Sequence, residues 1–406
     1  MRDKNNNKDR IEIDNVFKKM KILLINNLYK PFARGGAEKV VEVTTGEFIK
    51  EGHKVDIITT RPYFTTPKKQ EEVIKVFYLR SLYFNLHKIS WCLRFFWHII
   101  DSFSLAAPFY VFWKIKKENY DLVITHNLKG LSYLIPLVVK LSGVKYYHTL
   151  HDIQLLHPSG LMIYKKERLV NSLFARIYIK INTILFGSPN KVVSPSHWLI
   201  DLHLKNGFFP LSKKEVVNNP ISIHSAQPPL EVRRSERGEP FYFLYVGQIE
   251  HHKGVMLLID AFKSISKNNR HYILTIVGDG SRLEEIKQRV VGWENIKVLG
   301  RKNKDEVREL MVNSDCLVVP SLCYENSPTV IYEALAARLY PLASDLGGTR
   351  ELLNNNPEYL FKPEVRELRN KMVWAVENRG VLRNKIQDLS DKTFNFDAQK
   401  YLEKIL

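Results

Sequence analysis

From Lys21 onward, short apolar runs alternate with longer stretches of helical spacing. KILLINN is followed by a helix running through Glu51 and ended by Gly52, then by KVDIITT, and later by DLVITHN, VKYYHTLHD and NKVVSPS. Buried strands alternating with helices predict a parallel sheet covered on both faces. The segment ISIHSAQPPLEVRRSERGEP breaks this rhythm: it is polar and Pro-rich, has no apolar period, and reads as a linker. The alternation then restarts with FYFLYVGQ, YILTIVGDG, NIKVLGR, DCLVVPS and YPLASD, and the intervening helices carry capping-box spacing at Ser281/Glu284 and Asn303/Glu306. The expected class is α/β, with two Rossmann-like doubly wound domains facing a cleft. A first domain at 20–222, a linker at 223–239 and a second domain from 240 follow a mobile extension at 1–19. In such folds ligands sit at the carboxyl ends of the strands, so chemistry belongs in the strand-to-helix loops.

Composition narrows the classes. A chain of 406 residues with 45% hydrophobic and 26% charged residues is globular, which excludes disorder, collagen and coiled coil. The formal net charge of +18 predicts polyanionic partners: nucleic acid, an anionic membrane or phosphorylated substrates. Cys92, Cys316 and Cys323 have neither disulfide-framework nor zinc spacing, which fits a reducing cytosol. The opening MRDKNNNKDRIEIDNVFKKM lacks an apolar core, so no signal peptide is expected, and Met20 is an alternative start.

The most apolar stretch, 76–113, is divided by Arg80, Lys88, Arg94 and Asp101 and is too short in any uninterrupted piece to cross a bilayer. It holds 13 of the 46 aromatic residues, and from Arg80 to Lys117 six cations face one acid. That mixture suits a surface leaning on anionic headgroups, with Arg80, Lys88 and Arg94 as cations and Trp91, Trp97 and Trp113 at the interface. The plainer reading is a pair of core helices with a few surface lysines.

No GxGxxG or GxxxxGK[ST] follows a strand, which argues against a dinucleotide dehydrogenase and a P-loop NTPase. Four loops carry candidate chemistry. In LYKPFARGGAEKVV the pair Gly35-Gly36 lets backbone N–H groups approach an anion just before a helix. VGQIEHHKG places Lys253 and Gly254 after a strand, with Lys253 a point charge for phosphate. In PSLCYENSPTVIYEALA, Ser327 is the expected N-cap and Pro328 the first helical residue. Glu325 and Glu333 then flank a positive helix end whose Thr329 and Val330 amides can hold phosphate while the carboxylates accept from hydroxyls. HTLHD ends a strand with His151 and Asp152, a histidine that a carboxylate can orient. Taken singly, each has a bland reading: a turn, a solvated lysine, surface acids, a structural histidine.

Together RGGAEKVV, HTLHD, SPSHWL, VVNNP, YVGQIEHHKGVMLLIDAF, VGDG, PSLCYENSPTVIYEAL with Glu325 and Glu333 at E-x7-E spacing, and SDLGGTREL resemble the retaining glycosyltransferases of family GT4, with the GT-B fold. The likeness covers nearly everything from Lys21 onward. It implies transfer of a hexose from a nucleotide-diphosphate sugar (a UDP- or GDP-sugar) to a hydroxyl of a cell-surface glycan or lipid-linked oligosaccharide, with no metal or other cofactor. On this likeness 20–222 takes the acceptor, 240–385 the donor, and 386–406 is a final helix crossing back to the first domain. Glu325 would contact the donor sugar hydroxyls and Glu333 the ribose. Lys253 and the amides of Gly36, Thr329 and Val330 would hold the diphosphate, with His151 beside the anomeric centre. Gly35, Gly247, Gln248, Gly278, Asp279, Arg301, Asn326, Ser327 and Pro328 complete the donor set. The implied catalytic residues are His151, Glu325 and Lys253. Partners would be the donor, the acceptor and an anionic membrane surface rather than nucleic acid, in the cytoplasm or on the inner face of its membrane. Gln248 departs from the family, standing where many members have an arginine that pairs with the lysine, and Arg338 and Tyr340 replace the usual Gly and Pro after the E-x7-E helix. The alternatives are another GT-B enzyme, such as a nucleotide-sugar epimerase, or a non-catalytic nucleotide-sugar or RNA-binding protein.

Overall fold

The computed structural model describes residues 19–33, 35–65, 74–84, 90–168, 172–220, 239–267, 270–393 and 398–406, leaving out a few side chains within helices, among them those of Trp91 and Arg94. The expected extension at 1–19, apart from residue 19, and the linker at 223–239, apart from residue 239, lie outside the described residues, as does Lys88.

Seven parallel strands form the first sheet: β1 (Lys21–Ile25), β2 (Lys54–Arg61), β3 (Lys75–Arg80), β4 (Leu122–Thr125), β5 (Lys145–Thr149), β6 (Lys191–Ser194) and β7 (Lys213–Val216). Their order is β3-β2-β1-β4-β5-β6-β7, so the chain reverses direction across the sheet between β1 and β4. That reversal sends connections to opposite faces. The period of two along β1 shows this: Ile22 and Leu24 pack with Val41 and Phe48 of α1 (Gly36–Lys50). Leu23 and Ile25 pack on the other side with Val111, Val139 and Ile179 of α3 (Ala106–Glu118), α4 (Ile135–Ser142) and α5 (Leu173–Phe186). α2 (Trp91–Ser102) precedes α3, and α6 (His197–Lys205) joins β6 to β7.

The second sheet repeats the plan in the order β10-β9-β8-β11-β12-β13, with β8 (Phe241–Val246), β9 (Tyr272–Val277), β10 (Ile296–Gly300), β11 (Cys316–Val319), β12 (Tyr340–Ser344) and β13 (Leu360–Phe361). Its helices are α7 (Val255–Ser266), α8 (Leu283–Arg289), α9 (Lys304–Val312), α10 (Thr329–Ala336), α11 (Thr349–Leu352), α12 (Val365–Glu377) and α13 (Arg379–Thr393). A final helix, α14 (Ala398–Ile405), packs Tyr401, Leu402 and Ile405 into the first domain beside α1, and the Lys191 ammonium donates to the Ile405 carbonyl at 2.6 Å. The fold is thus two Rossmann-like domains with their strand ends facing each other.

Two capping expectations separate. Asn303 and Glu306 exchange backbone and side-chain bonds at 2.9 Å and start α9. Ser281 does not cap α8, which begins at Leu283; its N–H and hydroxyl both donate to Glu250 instead, so the carboxylate from the neighbouring loop outcompetes the local box. After α10, Arg338 takes the left-handed conformation (φ 53°) that helix ends commonly give to glycine, and Tyr340 opens β12 with its ring buried against Tyr359. Among the described residues no helix is long and apolar enough to cross a membrane.

Candidate active site

The facing strand ends enclose a cleft cavity of about 850 Å³ lined from both domains. Two main-chain bonds and one side-chain bond join the domains beside it: the Tyr164 N–H donates to the Leu322 carbonyl at 2.8 Å, the Tyr324 N–H to the Met162 carbonyl at 2.9 Å, and the Asn326 side-chain amide to the His151 carbonyl at 3.1 Å. The carboxylate of Glu351, from SDLGGTREL, accepts from the His197 and Trp198 amides at the start of α6, satisfying a helix end of the opposite domain.

Lys253 ends a short 3-10 turn after β8, and Gly254 follows at φ 71°. A Cβ on Gly254 would lie 1.8 Å from the Pro320 carbonyl oxygen, so only glycine lets the β8 loop lie against the end of β11. This approach brings the Lys253 ammonium to 2.5 Å from a Glu325 oxygen that also accepts from the Ser321 hydroxyl at 2.9 Å. Burial alone would lower the lysine's pKa and raise the carboxylate's. The opposite charge reverses both, leaving Lys253 above and Glu325 below its ordinary value. The cleft therefore holds a charged pair with both side chains partly open to it.

α10 begins one residue later than expected. Pro328, not Ser327, is its N-cap, because the Ser327 hydroxyl is bonded to the Tyr332 hydroxyl at 2.6 Å. Proline has no side-chain acceptor, so no side chain caps α10, and the Thr329 and Val330 residues that start it line the cavity. One turn along, Glu333 pairs with Lys39 of α1 across the cleft. Gly36 opens α1 directly opposite, where a Cβ would meet the Thr329 methyl at 3.4 Å. The Gly35 amide is taken by Glu38 at 2.6 Å, so of the pair only Gly36 has its amide without a side-chain cap.

His151 lines the cavity, but its partner is not Asp152. Asp152 accepts from the Gln154 amide at 2.7 Å and from Asn127 at 3.3 Å, whereas His151 Nε2 lies 2.9 Å from His126 Nδ1 with the rings stacked. His126 Nε2 is buried without a partner. A lone acceptor costs less there than a lone N–H, which assigns the His126 proton to Nδ1 and makes it the donor to His151. Burial lowers the pKa of His151 to about 4, so it is a neutral imidazole at physiological pH.

Of the remaining expected residues, Gly35, Gly247, Gln248, Arg301, Asn326, Ser327 and Pro328 line the cavity. Gly278 and Asp279 do not. Gly278 lies beneath the β8 loop, where a Cβ would sit 1.8 Å from the Gly247 oxygen, and the Asp279 carbonyl accepts from Ile249 at 2.8 Å, so both support the wall. The cavity also contains Asn27, Tyr83, Asn127, Asn219 and Lys304, and sequence reasoning missed these along with Lys39. For Lys39 a signal existed: it lies one helical turn after Gly36. Of the expected interface residues, Arg80 is exposed and Trp113 is 46% exposed, but Trp97 is buried against Tyr83 and His98 and belongs to the core.

The buried histidines predict acid lability. Burial lowers His148 to about 3 and His151 and His203 to about 4, against 6.5 in the unfolded chain. The unfolded state therefore takes up protons first, and this stability is lost as pH falls from 6.5 through the folded values. Asp101 and Asp152, raised by burial to about 6, act oppositely: their contribution is full below 3.8 and lost as pH rises through 6. The histidines outnumber them, so thermal melts are expected to show stability falling by at least about 2 kcal/mol between pH 7.5 and 5. A flat profile would contradict neutral burial of these rings.

Comparison with known families agrees with this geometry. Residues 34–225 match Glycosyltransferase Family 4, and residues 229–393 match Glycosyl transferases group 1. An uncharacterized 42.6 kDa protein in the cps region of Klebsiella pneumoniae is 25% identical, covering 95% of this chain and 99% of its own. The putative teichuronic acid biosynthesis glycosyltransferase TuaC of Bacillus subtilis is 23% identical, covering 94% and 96%. Among solved structures, Anabaena HepE in complex with UDP superposes with a TM-score of 0.68 at 18% identity, over 95% of this chain and 99% of that one. With both halves of the chain matched in order and the two-domain cleft in place, this chain belongs to the family 4, group 1 glycosyltransferases of GT-B fold.

Proposed function

We propose that the enzyme is a retaining hexosyltransferase. It moves a hexose from a UDP- or GDP-sugar to a hydroxyl of a cell-surface glycan or lipid-linked oligosaccharide, at the inner face of the cytoplasmic membrane. The observation that carries this reading is the Lys253–Glu325 pair beside the uncapped start of α10, with Glu333 one turn further along. Breaking the bond between the anomeric carbon and the phosphate oxygen builds positive charge on carbon and negative charge on the departing diphosphate. Helix amides and an ammonium in a partly dry cleft are suited to the latter. The acceptor oxygen forms the new bond to the anomeric carbon on the leaving-group side, and its proton passes to the departing phosphate. Glu325 accepts from the sugar hydroxyls. His151, neutral and held by His126, lies beside the sugar as a hydrogen-bonding group rather than a cation.

Lys39 answers the charge missing at Gln248. When ribose hydroxyls take Glu333, the Lys39 ammonium is released into the same cleft and becomes the second cation on the diphosphate. The UDP bound by HepE and the putative teichuronic acid biosynthesis role of TuaC support a nucleotide donor and a glycan acceptor.

The test is release of nucleoside diphosphate from a panel of nucleotide sugars by wild type and by Lys39→Met. One donor should turn over. Lys39→Met should raise its KM about tenfold, with Gln248→Arg in the same chain recovering most of the loss. Folded protein that neither binds nor hydrolyses any donor would refute the reading.

A further inference from the structure

The helix layer formed by α2 to α5 is apolar on both sides. In α3, Ala107, Val111 and Ile115 are buried, while the N-cap Leu105 and the helical Phe109 and Trp113, two residues out of phase and so on the opposite side, are exposed. α4 buries Ile135 and Val139 and exposes Leu137 and Leu141 in the same way. α5 buries Ala175, Ile179 and Phe186 and exposes Leu173, Ile177 and Ile184. α2 adds Leu93, Phe96 and Ile100 at helical spacing. A helix that is apolar on its outward side as well as its inward one has a second surface to cover, and this outer surface is not in a core.

Charge identifies what covers it. Lys116, Lys117, Lys140, Arg176 and Lys180 are exposed on these helices, and the Lys117 ammonium lies 4.8 Å from the Trp113 ring centre. The only acids on the four helices are Asp101, which accepts from the Gly130 amide, and Glu118, which is paired with Lys21 and Lys114. A second copy of the chain would bring the same cations and no acid to meet them, whereas an anionic bilayer supplies both hydrocarbon and negative headgroups. The face also adjoins the cleft: Trp97 of α2 packs on the cleft residue Tyr83, and the segment leading into α5 bonds to Leu322 and Tyr324 at the rim.

We infer that the outer surface of α2 to α5 docks on an anionic bilayer, placing the cleft mouth at headgroup level. The docking stands independently of the catalytic reading; only its consequence, access to a lipid-carried acceptor, rests on it. Sedimentation of the full chain with phosphatidylcholine vesicles, with and without phosphatidylglycerol, tests this. Binding is expected only with the anionic lipid. It should weaken about 25-fold in Lys116→Gln/Lys117→Gln, about fivefold per cation, and fall comparably in Leu105→Ser/Phe109→Ser. Donor hydrolysis without vesicles should stay at the wild-type rate in both variants. Equal binding to neutral and anionic vesicles, unchanged binding by the variants, or dimerisation through this face without vesicle binding would overturn the proposal. Wild-type protein that turns over a donor but binds no anionic vesicles would sink the docking face alone, and wild-type protein that binds them but turns over no donor would sink the catalytic reading alone.

Discussion

Lys253→Ala is expected to lower kcat by about 10²- to 10³-fold, the usual cost of removing one preorganised group that meets developing negative charge. It should also destabilise the fold by about 2 kcal/mol. Removing one partner of a buried ion pair strands the other, and the cost lies below that of a fully buried pair because the Lys253 and Glu325 side chains keep 26% and 17% of their surface open. The stranded Glu325 carboxylate then loses the interaction that outweighs its burial, so its pKa should rise. The double variant Lys253→Met/Glu325→Gln separates the two effects. With no buried charge left, it should melt near the wild-type temperature, yet release no more nucleoside diphosphate than Lys253→Ala. Urea melts and turnover on the same preparations decide the matter. Normal turnover by Lys253→Ala would remove the lysine from the mechanism, and a double variant as unstable as the single would show that packing, not charge, holds this loop.

The alternation of apolar runs and helices made both sheets legible, because a strand buried on both faces announces itself by composition alone. Strands without that signature were not legible: β7 reads KKEV, pairs with β6 along its length and offers only Val216 to the core. The cleft residues of the second domain were legible because E-x7-E places Glu325 and Glu333 around one helix start. What spacing could not show were interactions decided by partners distant in sequence. Glu250 draws Ser281 from its cap, and Tyr332 claims the Ser327 hydroxyl. His126, not the adjacent Asp152, meets His151, because the ends of β4 and β5 lie side by side. Trp97 looked like an interface residue by composition, but the chain turns it inward onto Tyr83. Conversely, the exposed stripes of α4 and α5 carry ordinary leucines and isoleucines, which a sequence presents as core.

Gly254→Ala is expected to be among the most costly single-methyl additions in the second domain. Two terms add. The backbone at φ 71° lies in the left-handed region, which costs an alanine about 1 kcal/mol. The new Cβ would also lie 1.8 Å from the Pro320 oxygen, a backbone atom that cannot swing aside as a side chain can. The β8 loop must then move off the end of β11, weakening the bonds from the Leu322 and Cys323 amides to the His252 carbonyl, now 2.8 and 3.3 Å. A total of about 3 to 4 kcal/mol, or a fall in Tm of about 10 °C, follows. Gly292 supplies the control: its φ is 80°, but nothing lies within 4 Å of a Cβ there, so Gly292→Ala should cost only the conformational term, about 1 kcal/mol. The difference between the two melts isolates the close approach. Because that approach also carries Lys253 to Glu325, Gly254→Ala should weaken nucleoside diphosphate binding even at temperatures where the domain stays folded, while Gly292→Ala should leave binding unchanged. Equal losses of stability in the two variants would mean that the β8 loop yields freely, and that the position of Lys253 is set by its charge rather than by the packing of glycine against strand.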